Sequence, residues 1–255
     1  MIDEINYKNA IKLSEIIAES KNICVFTGAG ISVPSGIPDF RTAGGIFSET
    51  VPGGYSPEEV VSHKFFEENS ELFYKFYKDK MIYPEAKPNT AHYYFASLEK
   101  EGREVTVVTQ NIDCFHSDAG STNVAQLHGC VRKNYCKICK RTYVLDQILS
   151  CDGVPACPHD GGVIRPDVVL YGEQLNPDVI NRAIKYVSEA DTLIIVGTSL
   201  RVYPAASFVS YFKGKTLALI NKSATDYDTY ADIVINADII DFINVVNNAN
   251  NGVEF

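Results

Sequence analysis

Six short apolar runs set the tightest limit on how this chain can fold: Ile23–Phe26, Val105–Val108, Val168–Leu170, Leu193–Val196, Leu217–Ile220 and Ile233–Ile235. Each is too brief for a helix and lacks polar alternation, which is how strands buried on both faces read. Helical patterns separate the later runs. Residues 176–189 start with a capping Asn176 and Pro177 in the first turn, then place Val179, Ala183, Ile184 and Val187 on one face. Residues 238–247 do the same with Ile239, Phe242, Ile243 and Val246, and residues 8–20 with Ala10, Leu13, Ile16 and Ile17. Strands alternating with helices predict an α/β domain with a Rossmann-like parallel sheet covered on both faces.

Two stretches break that rhythm. Residues 42–90 are aromatic-rich and helix-like without strand signals, and residues 131–165 hold a cysteine cluster. The expected organisation is therefore a Rossmann-like domain from 1–41, 91–130 and 166–255, with a helical insertion at 42–90 and a metal module at 131–165 forming a smaller lobe. The Asn-rich tail, Asn247–Asn251, is expected to fray. At 255 residues the chain suffices for one large α/β domain with insertions.

Charge narrows the partners. A formal net charge of −9 argues against general nucleic-acid binding, where a positive field supplies most of the affinity. It suits a cationic peptide, or simply solubility. No apolar run approaches the ~18–20 residues of a membrane span, and no basic segment leads into an apolar one at the N-terminus, so a cytoplasmic protein is expected. Four of the seven cysteines, Cys136, Cys139, Cys151 and Cys157, fall within 22 residues. Clustered thiols in such a protein point to metal rather than disulfides. Cys24, Cys114 and Cys130 are expected to be buried packing residues.

The first apolar run ends in Gly28-Ala29-Gly30-Ile31-Ser32, a glycine turn whose amides can face a pyrophosphate. Alone it is a weak signal, because Val33 replaces a third glycine and no acidic residue closes a second strand about 20 residues on. The continuation through Asp39-Phe40-Arg41 gives GAGISVPSGIPDFR over positions 28–41. After the second run come Thr109-Gln110-Asn111-Ile112-Asp113, Phe115-His116, Ala119-Gly120 and Leu127-His128-Gly129. Together these segments resemble the signatures of the sirtuin family, with Cys114-Phe115 where that family commonly has Gly-Leu.

The resemblance implies an NAD-dependent protein lysine deacylase. NAD would be a co-substrate, held by Gly28, Ala29, Gly30, Ser32, Asp39, Phe40, Arg41, Gln110, Asn111, Ile112, Asp113, Gly197, Thr198, Ser199 and Asn221. Asn111, Asp113 and His128 would be the catalytic residues, with His128 the general base. A neutral imidazole suits that task, because its reference pKa of about 6.5 leaves it able to take a ribose hydroxyl proton at cellular pH. In the implied reaction the acyl-lysine oxygen attacks C1′ of the ribose as nicotinamide leaves. The 2′-oxygen then attacks the resulting imidate, and water releases lysine and 2′-O-acyl-ADP-ribose. Peptide contacts would come from Val169, Tyr171, Gly172 and Glu173, read as an extended segment that pairs with substrate backbone, and from Val202.

The family pattern also expects two CxxC pairs around a structural zinc. Cys136 and Cys139 supply the first pair and Cys157 the third ligand, but Asp160 stands where the fourth thiolate belongs. Cys151 completes an all-thiolate shell and is the expected fourth ligand, with Asp160 oxygen, His159 nitrogen or a lost site as alternatives. Sirtuins that prefer succinyl or malonyl lysine carry a Tyr-x-x-Arg pair in the helical insertion. Here Tyr74 is followed by Tyr77, so activity on uncharged acyl groups is expected. A mono-ADP-ribosyltransferase or NAD glycohydrolase would share every NAD residue and differ in what attacks C1′. A zinc-ribbon nucleic-acid module explains only residues 131–165 and conflicts with the acidic charge.

Overall fold

The computed structural model describes residues 2–42, 44–48 and 50–250. Among the described residues nine strands run in chain order as β1 (Asn22–Thr27), β2 (Glu104–Thr109), β3 (Val124–Gln126), β4 (Gly129–Cys136), β5 (Thr142–Val144), β6 (Ile164–Val168), β7 (Thr192–Val196), β8 (Thr216–Ile220) and β9 (Ile233–Ile235). Six of them form a sheet of order β3-β2-β1-β7-β8-β9, and every pair is parallel. The chain steps outward from β1 through β2 to β3, then returns to β7 on the other side of β1. That reversal is the topological switch point, where α/β sheets leave a crevice beyond their strand ends.

Side chains alternate across this sheet. Ile23, Val25, Ile194 and Val196 face a core completed by helices α1 (Glu4–Glu19), α5 (Thr90–Lys100) and α9 (Ile239–Asn250). Cys24, Phe26, Leu193 and Ile195 face the opposite core, under α8 (Pro177–Glu189). With both faces covered, every one of these residues is apolar, so the runs show no alternation in sequence. Burying each large side chain contributes roughly 1.5–3 kcal/mol, and Phe26→Ala would cost about 3–5 kcal/mol. Helix starts follow local chemistry: Asp3 accepts from the Asn6 amide at 2.8 Å to cap α1, and Asn176 accepts from the Asp178 amide at 2.8 Å to cap α8. The tail expected to fray is helical through Asn250, while Asn251 lies outside the described residues.

The smaller lobe joins two parts of the chain. Helices α2 (Pro57–Val60), α3 (His63–Glu68) and α4 (Ser70–Lys80) carry an aromatic cluster in which Phe66, Phe73, Tyr74 and Tyr77 pack edge-on or stacked. That cluster shares one core with Val131, Cys136, Ile148, Cys157, Ile164 and Val168. Here β4 is flanked by β5 and β6, both antiparallel to it. The short helices α6 (Phe115–Ala119) and α7 (Leu145–Leu149) complete the fold.

Two expectations change. The run at 168–170 does not join the parallel sheet: Val168 ends β6, pairs with Gly129 in the small sheet, and is followed by a turn closed by the Glu173 amide donating to the Leu170 carbonyl at 3.0 Å. An apolar run reports burial and carries no information on strand direction. Cys114 and Cys130, expected as packing residues, are indeed buried but are joined by a disulfide with Cα atoms 6.0 Å apart. It links the start of α6 to β4. Among the described residues no helix is long and apolar enough to cross a membrane.

Candidate active site and metal module

At the switch point β1 runs into Gly28-Ala29-Gly30, and β7 into Gly197-Thr198-Ser199. The two loops touch. A Cβ on Gly30 would sit 2.6 Å from the Gly197 Cα, and one on Gly28 would sit 2.6 Å from the Thr198 Cβ. Gly197 also has φ +60, a left-handed conformation that favours glycine. The close approach is fastened by the Gly28 amide to the Val196 carbonyl at 3.0 Å and the Gly30 amide to the Gly197 carbonyl at 2.8 Å.

From β2 comes the segment 109–113. The Gln110 amide nitrogen Nε2 donates to Thr198 Oγ1 at 3.0 Å, tying the β2 end to the β7 loop. Asn111 is buried and its Nδ2 donates to the Gly28 carbonyl and to Ser32 Oγ, each at 3.1 Å. Ser32 Oγ in turn donates to Asp113 Oδ2 at 2.7 Å, and Asp113 Oδ1 accepts from the Phe115 amide at 2.9 Å. Burial raises the Asp113 pKa, opposed by those two hydrogen bonds and by the Arg132 cation. Arg132 itself is paired with Asp118 of α6.

His128 precedes β4. Its Nδ1 lies 2.8 Å from the Gln110 carbonyl, which can only accept, so Nδ1 carries the proton and Nε2 keeps a free lone pair. Burial lowers the His128 pKa, against the raising effect of that hydrogen bond. The ring is therefore neutral at pH 7 and fixed in the tautomer a base requires.

A cavity of about 440 Å³ opens beside Ser32, Asn111 and Asp113, and His128 is not among the residues that line it. Ala29, Ser32, Phe40, Asn111, Ile112 and Asp113 form its inner wall, and Met81–Pro84, Ala86, Arg132 and Val144–Asp146 its outer wall. The outer wall carries no motif of its own; the sequence marks it only as part of the strand-poor insertion at 42–90 and the cysteine-bearing one at 131–165. Of the other expected cofactor residues, Asp39 accepts from the amides of Arg41 and Thr42 at 2.9 and 2.8 Å, shaping the loop. Arg41 is exposed and lies over the Phe47 ring at 5.5 Å. Asn221 follows β8, where its amide donates to the Ile235 carbonyl and its side chain to the Ser223 carbonyl.

The segment expected to pair with peptide is partly engaged already. Tyr171 donates its amide to the Val61 carbonyl at 3.0 Å and accepts from the His63 amide at 2.9 Å, so both its backbone groups are used. Glu173 accepts from Arg165 at 2.6 Å, from His63 Nδ1 at 2.8 Å and from the Leu170 amide at 2.9 Å, and thereby builds the turn. Val169 donates its amide to the His128 carbonyl at 3.0 Å, Gly172 has φ +88, and Val202 lies in the loop beyond β7. Tyr74 and Tyr77 are both buried in the helical insertion, with the Tyr74 hydroxyl donating to the Ile164 carbonyl.

In the metal module the fourth position differs from the expectation. Donor atoms of Cys136, Cys139, Cys157 and Asp160 all lie within 4.8 Å of one another. Cys139 and Cys157 sulfurs are 3.7 Å apart, close to the edge of a tetrahedron with ~2.3 Å zinc–sulfur bonds. Asp160 Oδ1 lies 3.3 Å from Cys136 Sγ, and the Tyr143 hydroxyl 2.9 Å from Cys157 Sγ. Three thiolates and a carboxylate are a donor set that zinc accepts. Cys151 stands apart: its thiol faces the Asp152 and Val154 carbonyls, and Lys78 Nζ holds its carbonyl at 2.5 Å.

A family model described as the Sir2 family matches residues 28–204. The chain belongs to the Sir2 family. This sirtuin is 54% identical over 94% of its length, and 96% of the other's, to a protein named NAD-dependent protein deacetylase from Clostridium perfringens (strain 13 / Type A). It is 43% identical to one of the same name from Staphylococcus aureus (strain Mu50 / ATCC 700699), over 91% and 95% of the two chains. A solved complex described as Sir2-p53 peptide-NAD+ superposes on the sirtuin with a TM-score of 0.82 at 37% identity, covering 95% of this chain and 98% of that one.

Proposed function

We infer that this sirtuin is an NAD-dependent protein lysine deacetylase and that it works in the cytoplasm. The observation that carries the reading is the state of His128: neutral, with Nδ1 tied to a carbonyl and Nε2 free to accept a proton. The names borne by its relatives support the same activity.

In this reading NAD lies across the switch point. The glycine turn from Gly28 to Ser32, with Asp39, Phe40 and Arg41, takes the phosphates and nicotinamide ribose. Gly197, Thr198, Ser199 and Asn221 take the adenine side, and Asn111 and Asp113 hold the nicotinamide end beside Ile112. The acyl-lysine peptide lies along Val169–Glu173 and Val202. Because the Tyr171 backbone is engaged by residues 61–63, its half-exposed side chain makes the contact there. The acyl oxygen attacks C1′ as the nicotinamide bond breaks. His128 Nε2 then takes the proton from the ribose hydroxyls, so that the 2′-oxygen closes on the imidate carbon. Water completes the release of lysine and 2′-O-acetyl-ADP-ribose. Zinc, held by Cys136, Cys139, Cys157 and Asp160, serves the small lobe's stability and takes no part in this chemistry.

With no guanidinium at position 77, uncharged acyl groups are preferred. The test is a panel of acetyl-, succinyl- and unmodified lysine peptides with NAD, read by product mass. Acetylated ADP-ribose is the expected product. Bare or protein-linked ADP-ribose would replace the reading with hydrolysis or ADP-ribosyl transfer, and a succinyl preference would overturn the acyl assignment.

A further inference from the structure

The loop from Gly28 to Gly36 is gripped from two sides. On the inner side Asn111 and Asp113 hold Ser32, and Gly197 lies against Gly30. On the outer side a single residue makes every side-chain bond identified to the loop. Asn89, which starts α5, donates Nδ2 to the Ile31 carbonyl at 2.8 Å and to Ser35 Oγ at 2.9 Å. These two acceptors bracket Ser32 in sequence. We propose that Asn89 is a positioning residue for NAD, clamping residues 31–35 so that Ser32 stays within reach of Asn111 and Asp113. The proposal rests on the NAD reading above and assigns that site a residue outside the family signatures quoted.

Asn89 is placed for this by its second task. Its Oδ1 accepts from the Ala91 amide at 2.9 Å, the N-cap bond of α5, and its own amide donates to His92 Nδ1 at 3.2 Å. The cap fixes the side chain, so both Nδ2 hydrogens are aimed at the loop. Two imidazoles meet edge-on behind the same turn. Since His92 Nδ1 accepts, its Nε2 carries hydrogen, and that buried Nε2 has no partner. The buried Nδ1 of His116 has none either, and the two rings are 4.9 Å apart. His116 Nε2 sits 3.1 Å from Thr27 Oγ1, next to Gly28. The two unpaired ring nitrogens lie between the start of α5 and the root of the glycine turn. In the segment leading into Asn89, Met81–Pro84 and Ala86 line the cavity.

Asn89→Asp separates the clamp from the cap. An aspartate accepts from the Ala91 amide as well as asparagine does, but offers no N–H to the Ile31 carbonyl. NAD binding is measured by calorimetry, alongside KM for NAD, KM for an acetyl-lysine peptide, kcat and Tm. For N89D the Tm should stay within about 2 °C of wild type, while NAD Kd and KM rise about tenfold, the effect of one lost hydrogen bond. Peptide KM should not change and kcat should fall less than the NAD KM rises. N89A, which also loses the cap, should lower Tm as well. The proposal is overturned if N89D binds NAD as wild type does, if peptide KM rises in step with NAD KM, or if N89D melts as low as N89A. Wild type that binds NAD but leaves acetyl-lysine untouched sinks the deacetylase reading, while the calorimetry still decides the clamp.

Discussion

The two sheets of this molecule are held by different forces. The large one has six parallel strands whose central members are buried along almost their whole length, with an apolar core on each face. The small one has three strands, with exposed residues in all of them, and leans on an aromatic cluster and four converging metal donors. A wide parallel sheet stabilises itself by hydrophobic burial. A three-stranded sheet of this size cannot, and needs cross-links from elsewhere.

Removing metal breaks that contrast most strongly. Chelation, or Cys139→Ser, should withdraw a stabilisation on the order of 10 kcal/mol from the small lobe. Circular dichroism and limited proteolysis should show residues 131–165 opening while the parallel sheet persists. Simultaneous loss of both sheets would show the lobes to be one cooperative unit.

Next in size is His128→Ala. As the base of the proposed reaction its loss should slow deacetylation by about 10²–10⁴-fold, with Tm little changed. Retained turnover would remove the base from the large domain's account.

Acid separates the sheets in a third way. His92, His116 and His128 all have pKa values lowered by burial, and His92 and His116 pack against the large sheet. The other two histidines, His63 and His159, lie exposed in the small lobe. A group with a depressed folded pKa leaves the unfolded chain binding more protons, so stability falls as pH drops below the unfolded value. For His92, lowered to about 4, the loss runs from pH ~6.5 down to ~4 and amounts to about 3 kcal/mol. Denaturant melts across that range should show it, and His92→Gln should flatten the slope; an unaltered slope would remove His92 as its source. Activity should fall on the same side, below pH ~6.5, as His128 becomes protonated.

The smallest expected effect sharpens the metal side. Asp160→Cys exchanges a carboxylate for a softer thiolate and should tighten zinc about tenfold, measured by competition with a chromophoric chelator. Weaker binding would mean that the turn around Gly161 and Gly162 is shaped for oxygen.

What the sequence revealed divides along the same line. Leu193–Val196 and Leu217–Ile220 were readable as strands because double-faced burial writes itself as an unbroken apolar run. β4 was not, because Arg132 and Lys133 are exposed within it and its pairing with β6 shifts register between Cys130 and Asn134. The inner wall of the cavity was legible through the glycine turn and the segment 109–113. Its outer wall depends on how two insertions pack together, which local pattern does not encode. The fourth metal donor failed for a related reason. Zinc's preference for thiolate favoured Cys151 over the position that CxxC spacing marks, but the turn after Cys157 folds Asp160 back, with the Gly161 amide on the Cys157 carbonyl and the Gly162 amide on Asp160 Oδ1. Lys78, from the other insertion, keeps the Cys151 backbone turned away.

His128 occupies the root of the small sheet. Its carbonyl receives the Val169 amide, and the next residue, Gly129, has φ +81 and lies so near β6 that a Cβ there would fall 2.0 Å from the Asp167 oxygen. The imidazole, meanwhile, is hooked to Gln110 on the other side of the cleft. One residue is thus tied by its backbone to the strand end of the small sheet and by its ring to the segment after β2, so the place of the proton acceptor is set from both banks at once.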